Sequence, residues 1–256
     1  DGTVPESRID DAVRRVLRLK FRLGLFADPF AKEEFSAEIG SPEHRAVARQ
    51  AVRESLVLLK TENDVLPLDP SKPIAVVGEH ADNSGLQSGG WSIHWQGQTE
   101  SDQGATTILE GIREFATEVE YSEAGCGESM TAETAVVVVG ERPYAEFMGD
   151  SDDLFLTHQH REMIEGCRQL GKKVVVVLIS GRVLAIEPDL QASDAVVAAW
   201  LPGSEGGGVA DFLYGAAGFR PVGKSPYAWP RHVEDLPLAI DDERALIPFG
   251  FGLEAY

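Results

Sequence analysis

The sequence is short of cysteine, of basic charge and of long apolar runs, and each shortage closes a class of function. Two cysteines, Cys126 and Cys167, occur in 256 residues. No cysteine–histidine cluster has metal-ligand spacing, so a structural zinc module is not expected. The two cysteines could pair, but each sits in a context that suits a free buried thiol. Lys and Arg number 23 against 42 Asp and Glu, a net charge of -19. That surface repels nucleic acid and anionic membrane, so neither is expected as a partner, whereas a neutral ligand such as a sugar is compatible with it. Apolar runs such as Val174 to Ile179 have strand length and are far from the ~20 residues of a membrane helix. The opening Asp1-Gly2-Thr3-Val4-Pro5 is polar and has no initiating Met. It reads as the start of an excerpt from a longer protein, with any targeting segment upstream. No Gly-x-Ser-x-Gly elbow is present, which leaves a serine hydrolase triad unsupported. Gly203-Ser204-Glu205-Gly206-Gly207-Gly208 lacks both the P-loop Lys and the dinucleotide spacing, and reads as a tight strand-to-helix turn.

What is present is a series of short apolar strands between helices. Ser7 to Phe26 carries Ile9, Val13, Val16, Leu17, Phe21 and Leu25 at helical spacing, with Ser7 as N-cap. Residues 27–41 are aperiodic and contain Pro29 and Gly40, as a linker would. A lone amphipathic helix ahead of a linker cannot bury its apolar face, so residues 1–26 are expected to belong to a preceding domain. Pro42 to Lys60 is predicted as one helix capped by Ser41. Strands are predicted at Ile74–Val77, Val119–Tyr121, Ala135–Val139, Lys173–Ile179 and Ala195–Trp200. Helices are predicted at Thr107–Thr117, Thr157–Gly171 and Glu205–Tyr214, the second with Leu156, Ile164 and Leu170 on its inner side. The alternation predicts an α/β fold: a mostly parallel sheet with helices on both faces.

Three groups of residues bear chemistry. The strand ending at Val139 and Gly140 releases Glu141 and Glu146 into a loop restricted by Pro143 and Tyr144. In open α/β sheets, ligands bind beyond the carboxyl ends of the strands. Two carboxylates flanking a scissile bond are the equipment of glycoside hydrolysis. The sequence does not say whether these two face each other. The long loop from Glu79 to Gln103 carries Trp91 and Trp95, which could anchor the loop or form flat walls for the C–H faces of a sugar. His94 between them reads as a polar rim residue. Asp150, Asp152 and Asp153 miss the calcium-loop spacing and read as a solvated loop or helix cap.

Several of these segments together resemble glycoside hydrolase family 3. Gly89-Gly90-Trp91 with Trp95-Gln96-Gly97, and Val139-Gly140-Glu141-Arg142-Pro143-Tyr144-Ala145-Glu146 followed by Gly149-Asp150, are similar to its exo-β-glucanase and β-glucosidase branch. Pro202-Gly203-Ser204-Glu205-Gly206 and Pro248-Phe249-Gly250-Phe251-Gly252-Leu253 match later landmarks of the family's second, α/β-sandwich domain. Arg182 is followed by Val183 where that family often has Pro, and residues 215–229 follow its pattern loosely.

The resemblance implies that residues 1–26 close a (β/α)8-type barrel domain and that 42–256 form the α/β-sandwich domain. It implies a retaining exo-acting β-glucosidase or glucan β-glucosidase, whose Asp nucleophile lies on the barrel. Glu146, not Glu141, falls on the position of the acid/base, and Trp91 and Trp95 fall on the walls of the leaving-group subsite. A partly buried, apolar setting is expected for Glu146. No metal and no organic cofactor is called for; the expected partners are a β-glucan or β-glucoside and the barrel domain. A periplasmic or secreted location is expected. The alternatives are a non-catalytic carbohydrate-binding or scaffolding domain and, resting on the Gly-rich turn alone, a nucleotide-binding domain.

Overall fold

A computed structural model describes residues 2–102 and 104–256. Asp1 and Gln103, the outer ends of the expected leading segment and of the expected 79–103 loop, lie outside them. The chain forms two compact units that divide between His44 and Arg45.

In the first unit, α1 (Glu6–Arg22) has Pro5 rather than Ser7 at its N-cap and ends four residues before the predicted Phe26. None of its residues is buried, and the stripe of Ile9, Val13, Val16 and Phe21 is exposed along its length.

The second unit is built on a six-stranded sheet: β1 (Val57–Thr61), β2 (Ile74–Val77), β3 (Val119–Ser122), β4 (Thr134–Gly140), β5 (Lys173–Ile179) and β6 (Ala195–Trp200). Their spatial order is β1-β6-β5-β4-β2-β3, parallel throughout except for β1, which pairs antiparallel with β6. The apolar runs encode two faces at once. In β4, Val136 and Val138 enter one core with Ile112 and Phe212, while Ala135, Val137 and Val139 enter the other with Ile164 and Trp229. Successive side chains on a strand point to opposite faces, so a strand covered on both sides must be apolar at every position.

Helices α2 (Pro42–Ser55), α4 (Ile108–Arg113) and α7 (Gly207–Leu213) supply the first core; α5 (His158–Gln169) supplies the second. Short helices α3 (Ser84–Ser88) and α6 (Glu187–Gln191), which the sequence reading missed, lie in the connections after β2 and β5. Helix starts follow capping chemistry. Thr107 and Glu110 form a reciprocal capping box on α4, and Thr157 accepts from His160 N on α5. Partly buried arginine–carboxylate pairs tie α2 to α7 and the turn before it: Arg45 Nε donates to Glu205 at 2.9 Å and Arg49 Nε to Asp211 at 2.7 Å.

Three expectations need correction. The helix predicted for Pro42–Lys60 ends at Ser55, and its last residues are β1. The run Leu56-Val57-Leu58-Leu59 satisfies either period. Pairing with β6 decides it, sending Leu58 to one core and Val57 and Leu59 to the other. Leu170 is exposed rather than inward, because α5 closes there and the inner stripe is His160, Met163, Ile164 and Cys167. Cys126 and Cys167 are not free thiols but a disulfide. Glu120 accepts from the Thr131 and Ala132 amides at 2.8 and 3.0 Å, pinning the β3–β4 loop that carries Cys126. Cys167 comes from the inner face of α5. Two cysteines 41 residues apart on different elements give no local sign of that meeting.

Candidate active site

The order β3-β2-β4-β5-β6 contains one reversal: the chain leaves β2 in one direction for β3 and returns on the other side for β4. At such a switch point the two crossovers diverge and leave a crevice beyond the strands' carboxyl ends. Glu79 and His80 follow β2, Glu141 follows β4, and Ser180 and Arg182 follow β5, so polar side chains from three strands meet around the crevice. A cleft of about 550 Å³ lies there.

Glu141 is fully engaged. Arg182 donates to its Oε1 from Nε at 2.9 Å and from Nη2 at 2.6 Å. Ser180 Oγ donates to Oε2 at 2.6 Å and the Tyr144 hydroxyl at 3.2 Å. The Arg182 guanidinium also lies 4.4 Å from the centre of the Tyr144 ring and donates to Gly149 O at 2.6 Å. Burial, then the Glu141 carboxylate, pushes the Tyr144 phenol up to about 12, so it stays protonated as a donor. With a side chain only 16% exposed, Glu141 is the anchor of the 141–149 loop.

Glu146 is the opposite. Its side chain is exposed, and its carboxylate has no hydrogen-bond or ion-pair partner among the described residues. The expected partly buried setting is not found in this chain, because the turn Glu146–Gly149 projects the residue outward from the anchored loop. Its backbone has φ 49°, in the left-handed region that residues with a Cβ rarely enter.

Trp91 and Trp95 lie on a loop that packs against the ring of Phe147, the residue after Glu146. Their loop is closed by Trp91 N donating to Trp95 O at 3.0 Å, and Trp91 itself has φ 61°. The rings lie 6.2 Å apart, and Trp95 meets the Phe147 ring edge-on at 5.7 Å. Two features fasten this loop to the Glu146 loop. Ala145 N donates to Gln96 Oε1 at 2.8 Å. Gly90 lies so close that a Cβ there would sit 2.1 Å from Tyr144 O, which explains the glycine. Trp91, Trp95 and Phe147 remain 69%, 44% and 64% exposed, an apolar patch of the kind that marks a binding surface. They and Glu146 stand outside the lining of the switch-point cleft, on an open surface beside it.

The structure therefore joins the Trp91–Trp95 loop to the Glu146 loop through Gln96 and Phe147, while Glu141 is held by Arg182, Ser180 and Tyr144. His94 is exposed, as a rim residue would be. Asp150, Asp152 and Asp153 are exposed and do not converge. Among the described residues, the acidic and histidine side chains that do converge are Glu79, His80 and His160. Sequence reading missed them because 80 residues separate the two histidines.

Residues 56–255 match the model of the glycosyl hydrolase family 3 C-terminal domain. The chain belongs to that family. A lysosomal beta glucosidase of Dictyostelium discoideum is 36% identical over 92% of this chain and 32% of its own length. A periplasmic beta-glucosidase of Salmonella typhimurium is 32% identical over 93% of this chain and 36% of its own. Among solved structures, the exo-1,3/1,4-beta-glucanase of a Pseudoalteromonas species is 40% identical, with a TM-score of 0.91 over 98% of this chain and 34% of that one. The beta-glucosidase of Listeria innocua in complex with isofagomine is 27% identical, with a TM-score of 0.86 over 99% of this chain and 40% of that one. This family 3 domain thus spans about a third of the length of the curated relatives it matches, and those relatives include lysosomal and periplasmic proteins.

Proposed function

We propose that this domain supplies the general acid/base and the leaving-group walls of a retaining, exo-acting β-glucosidase or glucan β-glucosidase. The observation that carries the reading is Glu146: an unpartnered carboxylate on a turn held rigidly from beneath, beside exposed Trp91 and Trp95. Glu141 is committed to Arg182, Ser180 and Tyr144 and cannot act as its partner. The second carboxylate is then an Asp nucleophile on the preceding barrel domain, ~5–5.5 Å from Glu146 in the assembled site, as retaining chemistry requires.

In the first step the Glu146 carboxyl protonates the glycosidic oxygen while the nucleophile attacks the anomeric carbon. The C–O bond breaks, the alcohol leaves, and a glycosyl-enzyme ester forms. In the second, the Glu146 carboxylate takes a proton from water, whose oxygen attacks the anomeric carbon and releases the sugar and the nucleophile. Trp91 and Trp95 hold the leaving-group sugar by its apolar faces. Residues 1–26 close the barrel, 27–41 form the linker, and 42–256 form this sandwich. Barrel contacts would cover the exposed stripe of α1 and give Glu146 its drier setting. The disulfide favours an oxidising compartment, in keeping with a periplasmic or secreted enzyme.

The test is Glu146→Gln in the full-length enzyme. Turnover on β-glucosides should fall about 10²–10⁴-fold, and azide should restore part of it on substrates with activated leaving groups. The same behaviour from Glu141→Gln instead would overturn the assignment. A full-length protein that binds β-glucan without hydrolysing any glucoside would favour the carbohydrate-binding alternative.

A further inference from the structure

We propose that Glu79, His80 and His160 form a binding site for a divalent transition metal of the zinc type, within the switch-point cleft. One ligand atom from each lies within 4.8 Å of the others. The histidines come from different elements: His80 from the turn after β2, His160 from the first turn of α5. Their rings meet edge to face at 5.5 Å.

Both are deeply buried, at 1% and 8% exposure, and the Nδ1 of each is buried without a hydrogen-bond partner. A buried polar atom left unpaired costs about 1–3 kcal/mol and calls for a reason. His80 is already oriented as a ligand. Its Nε2 lies 3.2 Å from Glu141 O. A carbonyl only accepts, so Nε2 carries the proton and Nδ1 presents a lone pair. Metal-binding histidines are commonly held this way, with the second nitrogen donating to a backbone carbonyl.

Glu79 adds the anionic ligand that zinc accepts alongside imidazole. It is paired with the exposed Arg142, whose Nη2 lies 3.2 Å from Oε1. Arg142 can move into solvent when the carboxylate turns inward. Ligands of one zinc at ~2.0–2.1 Å require a modest closing of the group, and the half-exposed Glu79 is the member free to supply it. Two imidazoles and a carboxylate leave a fourth position for water or for a group entering the cleft. The donor set suits Zn²⁺, Co²⁺ or Ni²⁺ better than Ca²⁺ or Mg²⁺, which prefer all-oxygen shells. Because the His80 ring also holds Glu141 O, an ion here would stiffen the start of the 141–149 loop.

The test is titration of chelator-stripped, full-length protein with Zn²⁺ by calorimetry, and with Co²⁺ by visible absorption, in the absence of any glycoside. One Zn²⁺ per chain should bind at this site, and Co²⁺ should give the strong d–d bands of a low-coordinate site. Glu79→Gln, a surface change that spares the core, and His160→Gln should each weaken binding by at least about tenfold. His158→Gln, at an exposed neighbour paired with Glu162, should leave it unchanged. Absence of binding at zinc concentrations well above micromolar would overturn the proposal. So would binding that survives both ligand changes, or that is lost with His158. None of these readings depends on hydrolysis, so the metal site and the Glu146 assignment stand or fall separately.

Discussion

Glu141 and Glu146 lie on one loop, and the fold uses them in opposite ways. Glu141 has four donors on its carboxylate and sits at the carboxyl end of β4. Glu146 has none among the described residues, is exposed, and adopts a backbone conformation that a side chain disfavours. The first has given up its chemistry to fix geometry. The second is left exposed on the loop its neighbour holds, as the proposed acid/base would need. A functional carboxylate on a mobile loop would lose the orientation that proton transfer needs; on the proposed reading, rigidity and reactivity are divided between two residues of the same type.

The largest effect that could break this division is on turnover. Glu146→Gln is expected to lower kcat by about 10²–10⁴-fold while unfolding free energy stays within about 0.5 kcal/mol, as read by steady-state kinetics and urea denaturation. A matching stability loss would mean that Glu146 also supports the fold. A useful contrast is a loss of stability far from the loop. Replacing both Cys126 and Cys167 by Ser opens the 41-residue connection and should cost about 3–4 kcal/mol through the freed unfolded chain, with kcat unchanged in the folded fraction.

Glu141→Gln should fall between these. It leaves the Arg182 guanidinium partly buried and short of its counter-charge, a cost of about 2–3 kcal/mol. Activity should drop through displacement of the loop, and azide should not restore it. Rescue by azide would reverse the roles of the two carboxylates. Trp95→Ala removes the ring between Trp91 and Phe147. It should raise KM for oligosaccharides by about tenfold, in line with the ~1–2 kcal/mol carried by an aromatic contact. Unchanged kcat/KM would take Trp95 out of the site.

The division between the two carboxylates was only partly legible in the sequence. Strands β2, β4, β5 and β6 announce themselves because a sheet covered on both faces demands unbroken apolar runs, as in Val136 to Val139 and Val174 to Ile179. The loop after β4 is legible as a place where ligands gather. Which glutamate acts is not, since both are polar, flexible and close in sequence. The motif likeness chose Glu146, and the contacts of Arg182 on Glu141 supply a physical reason for that choice. What stayed hidden was long-range. β1 was hidden by an apolar run compatible with either period, and the disulfide by a separation of 41 residues. The meeting of His80 with His160 depends on α5 packing against the turn after β2. No local pattern records such meetings; only the packing of helices and loops onto the sheet makes them.

The smallest effect tests the strain itself. A left-handed φ costs a residue with a Cβ about 1–2 kcal/mol, and glycine almost nothing. Glycine also loosens the unfolded chain by about 0.4–1 kcal/mol, which opposes the gain. Glu146→Gly should therefore stabilise the domain by about 0.5 kcal/mol on these figures, whereas Glu146→Ala, which keeps the Cβ and the strain, should be close to neutral. Both remove the carboxylate and should be equally poor catalysts. Denaturation of the two variants side by side isolates the backbone contribution, because the same carboxylate is missing from each. If the glycine variant is less stable than the alanine one by about 0.4–1 kcal/mol, the turn at Glu146 is relaxed, and only the exposed carboxylate sets it apart from Glu141. If it is more stable, the fold holds Glu146 in a conformation that favours glycine, and the acidic side chain is kept there for what it does rather than for what it supports.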